Sequence, residues 1–476
     1  MDLATTTPET PPTTTARPAG ARPPGPQRRW WGLPLLREMK ADYLGFTAGL
    51  HRAHGDISHM HIGAEHAYDL FTPELAREAL VDHADALVRW QRGIEIFEQV
   101  FGQSVLVTEG ATWQRQRRML QPAFSPKRVA GYAALMRDAA LDALDHAVPA
   151  GQAQGLVEMD ALWTKVAMDV IMRTLFTSRA SRDARDAAEA TQVLSEAAMR
   201  EMFWPMTLPD WLPLPGKAKK RRALKALRGL VGRHIAERRA EAADTPCDDL
   251  LAHLLALRDE GTGAALSDQE VFDQCMVSFQ AGHETSATAL LWWSRLMAEH
   301  PEVARRAQQE VDAALGSREP GAEDLPALPW LTATLKEAMR LYPPIAALMS
   351  RRTTREITLG GWVIPPGAML RITPWVLQRD ARSFSEPDRF MPERFMPDAP
   401  PPPRGAWMPF GSGPRVCIGQ HFAMLEMTLV AALLLQRYTL ALPPGAGQAE
   451  PVMNVTLRPR GGVRLLLQRR TPRPQG

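Results

Sequence analysis

Cysteine is scarce in this sequence: its 476 residues include three, Cys247, Cys275 and Cys417. So few cysteines, in an odd number, argue against a disulfide framework and indicate a reducing compartment, so we expect a cytoplasmic protein. No run of about 18 apolar residues occurs, which predicts no transmembrane helix. Neither sign of charge is in large excess, since 56 basic residues stand against 53 acidic ones. This balance argues against a nucleic-acid-binding protein.

Large apolar residues are nearly missing from residues 1–29, which are rich in threonine, proline and alanine. Such a segment buries too little surface to offset the entropy of ordering, so we predict a disordered N-terminal tail. It also lacks the apolar stretch of a signal peptide. Residues 30–476 contain no linker long enough to separate one core from another, and the 45% of hydrophobic residues in the chain suffices for one large domain.

The longest helical pattern begins at Ser267, which forms a capping box with Glu270, and continues to Pro301. At about 1.5 Å per residue it spans roughly 50 Å, enough to cross a whole domain. Its middle, "AGHETS", combines a helix-weakening glycine with polar residues. The residues themselves leave two interpretations open, a tolerated defect at a surface or a groove that faces a ligand.

Shorter patterns complete a mainly α fold with small β-sheets. A strand pair precedes a helix that begins near Pro73, and a hairpin turns at Gly360 and Gly361. The apolar, proline-broken segment 201–216 is predicted to be a loop, and a basic amphipathic helix follows it. That helix either presents a solvated face or rests, together with the loop, on an anionic membrane.

Two pairs of residues each share a helical face. Trp113 and Arg117 are spaced i, i+4, and Glu337 and Arg340 are spaced i, i+3. Either pair alone is typical of an ordinary exposed helix.

The stretch "FGSGPRVCIGQ" places Cys417 in a turn-rich loop just before a predicted helix. A thiolate is the form of cysteine that binds metal. The helix N-terminus, the close approach allowed by Gly413 and Gly419, and the charge of Arg415 all favour the anion. One cysteine excludes a local four-cysteine zinc site or iron–sulfur cluster. A single thiolate suits an axial ligand of haem iron.

The same stretch resembles the F-x-x-G-x-R-x-C-x-G signature of the cytochrome P-450 superfamily, the haem-thiolate monooxygenases. "AGHETS", "KEAMR", "PERF" and "WQRQR" match further motifs of that family and occur in the family's order. The resemblance covers the chain from about Trp30 onward. It implies one P-450-type domain, with haem buried between the long central helix and the cysteine loop and its helix.

The resemblance also implies roles for the matching residues. Cys417 is the implied metal ligand of a non-covalent haem b. The implied haem-binding residues are Trp113, Arg117, Arg351, Phe410, Gly413, Arg415 and Gly419, with Arg352 as the alternative to Arg351. Gly282 is implied to leave room for dioxygen, and Thr285 with Glu284 to deliver protons. Glu337, Arg340 and Arg394 are implied to form a structural network.

The implied reaction inserts one oxygen atom of O2 into a lipophilic small molecule, by hydroxylation or epoxidation. Three mostly apolar segments match the pocket-lining positions of the family: residues 89–106, 201–216 and 343–349. A fatty acyl chain, a terpenoid, a steroid and a polyketide all stay open as substrates. Too few residues follow Cys417 for a fused reductase, so a separate ferredoxin, flavodoxin or reductase is expected. Its expected docking cations are Arg115, Arg118, Lys127 and Arg404. We expect a monomer.

Two other functions stay open. Some haem-thiolate relatives use peroxide directly or isomerise oxygenated lipids, and these tend to lack the acid–alcohol pair that Glu284 and Thr285 provide here. A non-catalytic haem-binding protein is the other alternative, and a buried proton relay would be a needless cost in it.

Overall fold

The computed structural model describes residues 21–178, 182–203, 208–240 and 248–470, without the side chains of residues 182–185. Helices dominate these residues. The first eight are α1 (Leu33–Ala41), α2 (Tyr43–His54), α3 (Pro73–Arg77), α4 (Gln91–Phe101), α5 (Gly110–Leu120), α6 (Pro126–Ala130), α7 (Ala133–Leu144) and α8 (Met159–Phe176). The next eight are α9 (Arg182–Met202), α10 (Lys217–Ala240), α11 (Leu250–Ala256), α12 (Asp268–Glu299), α13 (Pro301–Leu315), α14 (Pro329–Leu341), α15 (Pro374–Leu377) and α16 (Gln420–Arg437).

The strands are short and form four small sheets. They are β1 (Ile57–Ile62), β2 (Glu65–Leu70), β3 (Leu87–Arg89), β4 (Gln154–Glu158), β5 (Arg351–Thr353), β6 (Ile357–Leu359), β7 (Trp362–Ile364), β8 (Met369–Ile372), β9 (Tyr438–Ala441), β10 (Pro451–Met453), β11 (Leu457–Pro459) and β12 (Arg464–Arg469). The sheet orders are β1-β2-β8-β5-β3, β4-β12-β9, β10-β11 and β6-β7. The mainly α fold with small β-sheets is confirmed.

Local sequence signals explain where several elements begin and turn. Ser267 Oγ accepts the Glu270 N–H at 3.2 Å and Glu270 Oε2 accepts the Ser267 N–H at 2.8 Å, so the predicted capping box of α12 is present. The β6–β7 hairpin turns at Gly360 and Gly361, whose φ angles of 54° and 77° favour glycine. The predicted helix after β2 begins at Pro73, as expected.

Helices α7, α8, α12, α14 and α16 pack around the largest apolar cluster. Buried tryptophans link them: Trp163 Nε1 donates to Ser294 Oγ at 3.1 Å, and Trp293 Nε1 to Thr334 Oγ1 at 2.9 Å. Helix α12 continues through "AGHETS" without a break. His283 and Glu284 are buried there. Ala281 is exposed and Thr285 is half-buried, so one side of this segment packs in the interior and the other side is open. Both interpretations of the segment stay predictions.

Some predictions fall on residues that the structure leaves out. Residues 1–20 of the predicted tail, residues 204–207 of the predicted loop, and Cys247 lie outside the described residues. Residues 21–29 run along the edge of β1, where the His59 N–H donates to the Pro24 carbonyl at 2.9 Å. The boundary between tail and domain stays a prediction. Among the helices of the described ranges, none is both long and apolar enough to cross a membrane.

Candidate active site

The Cys417 loop is a compact turn held by its own backbone. The Cys417 N–H donates to the Phe410 carbonyl at 2.9 Å, around a 3₁₀ turn over Gly413–Arg415. Gly413 has a φ of 72°, and a Cβ there would lie 2.0 Å from the Leu80 carbonyl oxygen, so only glycine suits this position. Gly419 leads directly into α16. The predicted loop-then-helix arrangement around the cysteine is confirmed.

The sulfur of this loop differs from that of the other described cysteine. Cys417 is accessible to solvent, whereas Cys275 is buried in the apolar core. Enough protein surrounds Cys417 that burial raises the pKa of its thiol, although the Gly419 N–H and the charge of Arg117 act against that rise. A bound metal cation would remove the proton, because coordination deprotonates a thiol outright. The accessible sulfur of this loop is therefore better suited to binding a metal ion than to reacting as a free thiolate.

A cluster of arginines collects around one carboxylate near this loop. We call it the arginine cluster; its members are Arg89, Arg117, Arg351 and Arg415, with Glu109 as the counter-charge. Arg415 forms an ion pair with Glu109, donates to the Thr108 carbonyl at 3.0 Å and lies 3.8 Å over the Trp113 ring. Arg89 and Arg351 are paired across β3 and β5. The fold thus brings together four predicted haem-binding residues and adds Arg89, which sequence reasoning missed.

The arginine cluster carries more positive charge than the protein neutralises. Nε and Nη1 of Arg89 and Nη1 of Arg415 are buried, with no hydrogen-bond partner among the described residues. Burial lowers the pKa of all four arginines, that of Arg415 to about 10, and mutual repulsion adds to the effect at Arg89 and Arg415. Buried donors are nearly always paired in proteins. The cluster therefore suits an anionic ligand with several acceptor oxygens.

The two adjacent arginines of β5 have different surroundings. Arg352 forms an ion pair with Glu65 at 2.8 Å and donates to the Gly367 carbonyl at 2.6 Å. Arg351 is affected by the charge of Glu109, within the arginine cluster. Side chains alternate across a strand. Arg351, and not Arg352, therefore lies in the arginine cluster.

A second charged cluster, the Glu337 network, consists of Glu337, Arg340 and Arg394. Arg340 binds the Glu337 carboxylate with Nε at 2.7 Å and Nη2 at 2.8 Å, and Arg394 Nε adds a third bond at 3.3 Å. The remaining Arg340 donors reach carbonyls of Gln378, Pro387 and Arg389. The predicted structural network is present, and it ties α14 to residues 387–394, which precede the Cys417 loop in the chain.

The polar middle of α12 makes contacts that the local sequence does not show. Thr285 Oγ1 donates to the Ala281 carbonyl at 2.7 Å. Both oxygens of Glu284 accept hydrogen bonds, from Ser195 Oγ at 2.8 Å and from Thr456 Oγ1 at 2.9 Å. A Cβ at Gly282 would lie 2.9 Å from Ile171 Cδ1, so this glycine allows α12 to pack closely on α8. Its predicted role towards dioxygen stays a prediction.

One buried carboxyl was not singled out in the sequence. Glu426 of α16 is 1% exposed, and Ser286 Oγ of α12 donates to its Oε2 at 2.7 Å. Burial raises the pKa of Glu426 from about 4.5 to about 8, despite the bond from Ser286. It is the only acidic residue of that helix, and this isolation in an apolar stretch was the available signal. It links the helix after Cys417 to the helix that carries Thr285.

Comparison with known proteins decides the family. The family model described as Cytochrome P450 matches residues 23–466. This chain belongs to the cytochrome P450 family. Cyclooctat-9-en-7-ol 5-monooxygenase of Streptomyces melanosporofaciens is 35% identical over 432 residues, 88% of this chain and 92% of that protein. Pentalenene oxygenase of Streptomyces avermitilis is 33% identical over 442 residues, 91% of this chain and 95% of that protein.

Membership of the P450 family confirms the predicted reaction class and cofactor. This P450 is a haem-thiolate monooxygenase, an oxidoreductase that inserts oxygen from O2 into lipophilic molecules. Its cofactor is haem b with a cysteine thiolate as axial ligand.

Proposed function

We propose that Cys417 is the axial ligand of the haem in this P450 and that the arginine cluster binds the haem carboxylates. The support for the ligand is that Cys417 is accessible in a glycine-rich turn, whereas Cys275 is buried in the apolar core. The support for the arginine cluster is its unpaired buried donors. Two carboxylates would supply the missing acceptors and balance the excess of positive charge.

The haem would be bound jointly by three elements: α5, the β3–β5 pair and the cysteine turn. When bound, the haem supplies dioxygen activation, which thiolate ligation favours. Trp113 and Arg117 would contact the haem carboxylates from α5, and Arg89 and Arg351 from the β3–β5 pair. Phe410, Gly413 and Gly419 would shape the turn that presents the sulfur. The position of Arg415, held by Glu109 and Trp113, keeps one guanidinium nitrogen free for this contact.

Proton delivery is assigned to Thr285 and Glu284. Glu284 is held by Ser195 of α9 and by Thr456 in the β10–β11 turn, while Thr285 is bonded to its own helix. These two hydroxyl groups hold the carboxylate of Glu284 on the side of α9 and the β10–β11 turn, so passing a proton towards Thr285 would require the side chain to turn. A movement of α9 or of the β10–β11 hairpin when substrate binds would allow that rotation.

The substrate we propose is a cyclic terpenoid that is largely hydrocarbon. The two relatives described above are named for oxidation of cyclooctat-9-en-7-ol and pentalenene. The predicted pocket segments are apolar, and two of them meet where Met349 lies near Gly93, since a Cβ there would be 3.6 Å from Met349 Cγ. Such a wall selects by shape and apolar area more than by fixed hydrogen bonds.

Electrons are proposed to come from a separate ferredoxin, flavodoxin or reductase in the cytoplasm. Two of the four predicted docking cations are engaged within the chain, Arg115 with Glu270 and Arg118 with Asp259. Lys127 and Arg404 are exposed. Arg404 lines a surface cleft of about 300 Å³ together with Lys336 and Trp407, so this cleft is the better place for an acidic partner.

The ligand assignment is tested by the carbon-monoxide difference spectrum of the reduced protein. Wild type and Cys275→Ala should show the red-shifted Soret band of thiolate ligation, and Cys417→Ser should not. If Cys417→Ser keeps that band, or Cys275→Ala loses it while binding haem, the assignment of Cys417 is wrong.

The substrate class is tested by spin-shift titrations of the ferric protein. Cyclic terpene hydrocarbons and alcohols should shift the Soret band at lower concentrations than linear fatty acids of similar size. Product analysis with a surrogate ferredoxin and reductase should then show one added oxygen atom. Equal or tighter binding of the fatty acids would contradict the terpenoid proposal without touching the haem ligand.

A further inference from the structure

Three large apolar side chains at the start of the described chain are strongly exposed. Trp30 is 82% exposed, Trp31 is 72% exposed and Leu33 is 63% exposed. We call these three residues the tryptophan patch. Single exposed apolar residues are ordinary, whereas a contiguous exposed apolar patch is typical of an interaction site.

The patch is held in place by the β1–β2 hairpin. The Gly63 N–H at the hairpin turn donates to the Trp31 carbonyl at 2.8 Å, and the Gly32 N–H to the Arg29 carbonyl at 2.8 Å. A Cβ on Gly32 would lie 2.4 Å from the His61 carbonyl oxygen, so the chain touches the hairpin closely. These contacts make the turn an integral element of the fold and keep the patch in a defined position.

The backbone of the patch has an unusual conformation. Trp30 and Trp31 have φ angles of 47° and 59°, and Gly32 follows with 80°. A bulky residue with positive φ is an outlier that costs free energy, and here two are consecutive.

The charges around the patch are mainly positive. Residues 22–40 include the exposed cations Arg22, Arg28, Arg29, Arg37 and Lys40, against one acidic residue, Glu38. The carboxylate at the hairpin, Glu65, is neutralised by Arg352 at 2.8 Å. After burial, the charges of Arg22 and Arg28 add to the lowering of the pKa of His61 and His66. The surface beside the indoles therefore attracts anions.

We propose that the tryptophan patch and its cations rest on the surface of an anionic phospholipid bilayer. Indole rings favour the boundary between headgroups and acyl chains, and arginine and lysine favour anionic headgroups. Residues 1–20 offer only Met1 and Leu3 as large apolar side chains, which is too little to cover the patch. The proposal does not depend on the haem chemistry. Binding to a bilayer would place the enzyme next to the lipid in which a lipophilic substrate dissolves.

This surface differs from the one that the sequence suggested. Two of the first three cations of α10, Lys217 and Lys220, are buried in ion pairs with Glu201 and Asp210 at 2.6–3.2 Å, whereas Lys219 between them is exposed. Lys217 and Lys220 are therefore not offered to lipid. Trp211 in the preceding loop is 75% exposed and provides a matched control for an exposed tryptophan elsewhere.

The experiment is vesicle flotation of the full-length, haem-loaded protein. Wild type should float with phosphatidylglycerol–phosphatidylcholine vesicles at low salt, and much less with phosphatidylcholine alone or at about 0.5 M salt, where charges are screened. The double variant Trp30→Ser, Trp31→Ser should lose at least about tenfold of this binding, as expected when apolar area and charge act together. Trp211→Ser should bind as wild type does.

Several results would overturn the proposal. These are a wild type that does not float with anionic vesicles, a double variant that floats as well as wild type, or a Trp211→Ser variant that loses as much. Sedimentation without lipid checks the other occupant: a wild-type dimer that the double substitution makes monomeric would show that the patch joins two copies. An unchanged carbon-monoxide spectrum in both variants verifies folding and separates this test from that of Cys417.

Discussion

The Glu337 network and the arginine cluster are both rich in arginine, but their charges are balanced differently. Glu337 and Arg340 are 0% exposed, and the hydrogen bonds of Arg340 go to a carboxylate and to three carbonyls. The arginine cluster has four guanidinium groups around one carboxylate and three buried nitrogens without partners among the described residues. A network that is complete within the chain stabilises the fold, whereas an incomplete one is built for a ligand.

The largest effect is expected from breaking the complete network. Glu337→Gln leaves the buried Arg340 charge without its counter-ion, and the free energy of unfolding should fall by about 3–5 kcal/mol. Urea denaturation followed by near-ultraviolet circular dichroism measures this. The matched control is Glu450→Gln, which breaks an exposed pair with Arg460 and should cost less than about 1 kcal/mol. Equal urea midpoints for Glu337→Gln and wild type would show that the network does not carry stability.

The incomplete cluster should respond with the opposite sign in the haem-free protein. Arg89→Gln removes a buried cation that has unpaired donors, so the apoprotein should be at least as stable as wild type. The loaded protein should release haem roughly 10–100-fold faster, since a hydrogen bond between charged groups is worth about 1.5–3 kcal/mol. Haem transfer to apomyoglobin measures the rate. Arg352→Gln, one residue from Arg351 but paired with Glu65, is the control that should leave the rate unchanged.

If Arg89→Gln releases haem at the wild-type rate, the excess charge of the arginine cluster serves some other ligand. If it destabilises the apoprotein as much as Glu337→Gln does, the two clusters are of one kind and the comparison fails.

Glu426 extends the comparison, because it is a buried carboxyl group whose side-chain hydrogen bond comes from Ser286, with no cation paired to it among the described residues. Its folded pKa of about 8 lies above its ordinary value of 4.5, so it favours the folded state fully below about pH 4.5. That contribution is lost as pH rises to about 8, with a slope of up to about 1.4 kcal/mol per pH unit. Glu426→Gln mimics the neutral acid and should remove this slope. The difference in unfolding free energy between the two proteins, measured from pH 5 to 9, tests it.

The control for that titration is Ser286→Ala, which keeps the carboxyl but removes its single hydrogen bond. Because this bond lowers the pKa of Glu426, its loss should move the midpoint to higher pH. A wild-type curve parallel to that of Glu426→Gln over the whole range would mean that Glu426 does not titrate there.

Much of the fold and some of the site could be predicted because their signals are local. The capping box of α12, the glycine turn between β6 and β7 and the start of α3 at Pro73 each depend on residues within a few positions of one another. The Cys417 turn is of the same kind, since the positive φ of Gly413 and the bond from the Cys417 N–H to the Phe410 carbonyl lie within one short stretch. Backbone conformation and nearby hydrogen bonds decide such features.

The contacts of Arg89 and Glu284 could not be predicted in this way. Arg89 belongs to the site because β3 pairs with β5. The three residues of β3 contain no signal that identifies β5 as the partner strand. Glu284 follows His283 and precedes Thr285 in an acid–alcohol pair, yet its oxygens bind Ser195 and Thr456 from distant segments. Strand register and helix packing set these contacts, and both depend on the whole core.

By itself, then, the sequence determined a mainly helical domain, the cysteine turn and the motif residues that carry the family resemblance, because each is written in short-range spacing. Only the tertiary structure decided that Arg351 joins the arginine cluster while Arg352 pairs with Glu65, that Glu284 is shared between α9 and the β10–β11 turn, and that Trp30 and Trp31 face outward. Those contacts join residues that are far apart in the sequence. They therefore depend on how the whole chain packs, and not on the spacing within any one segment.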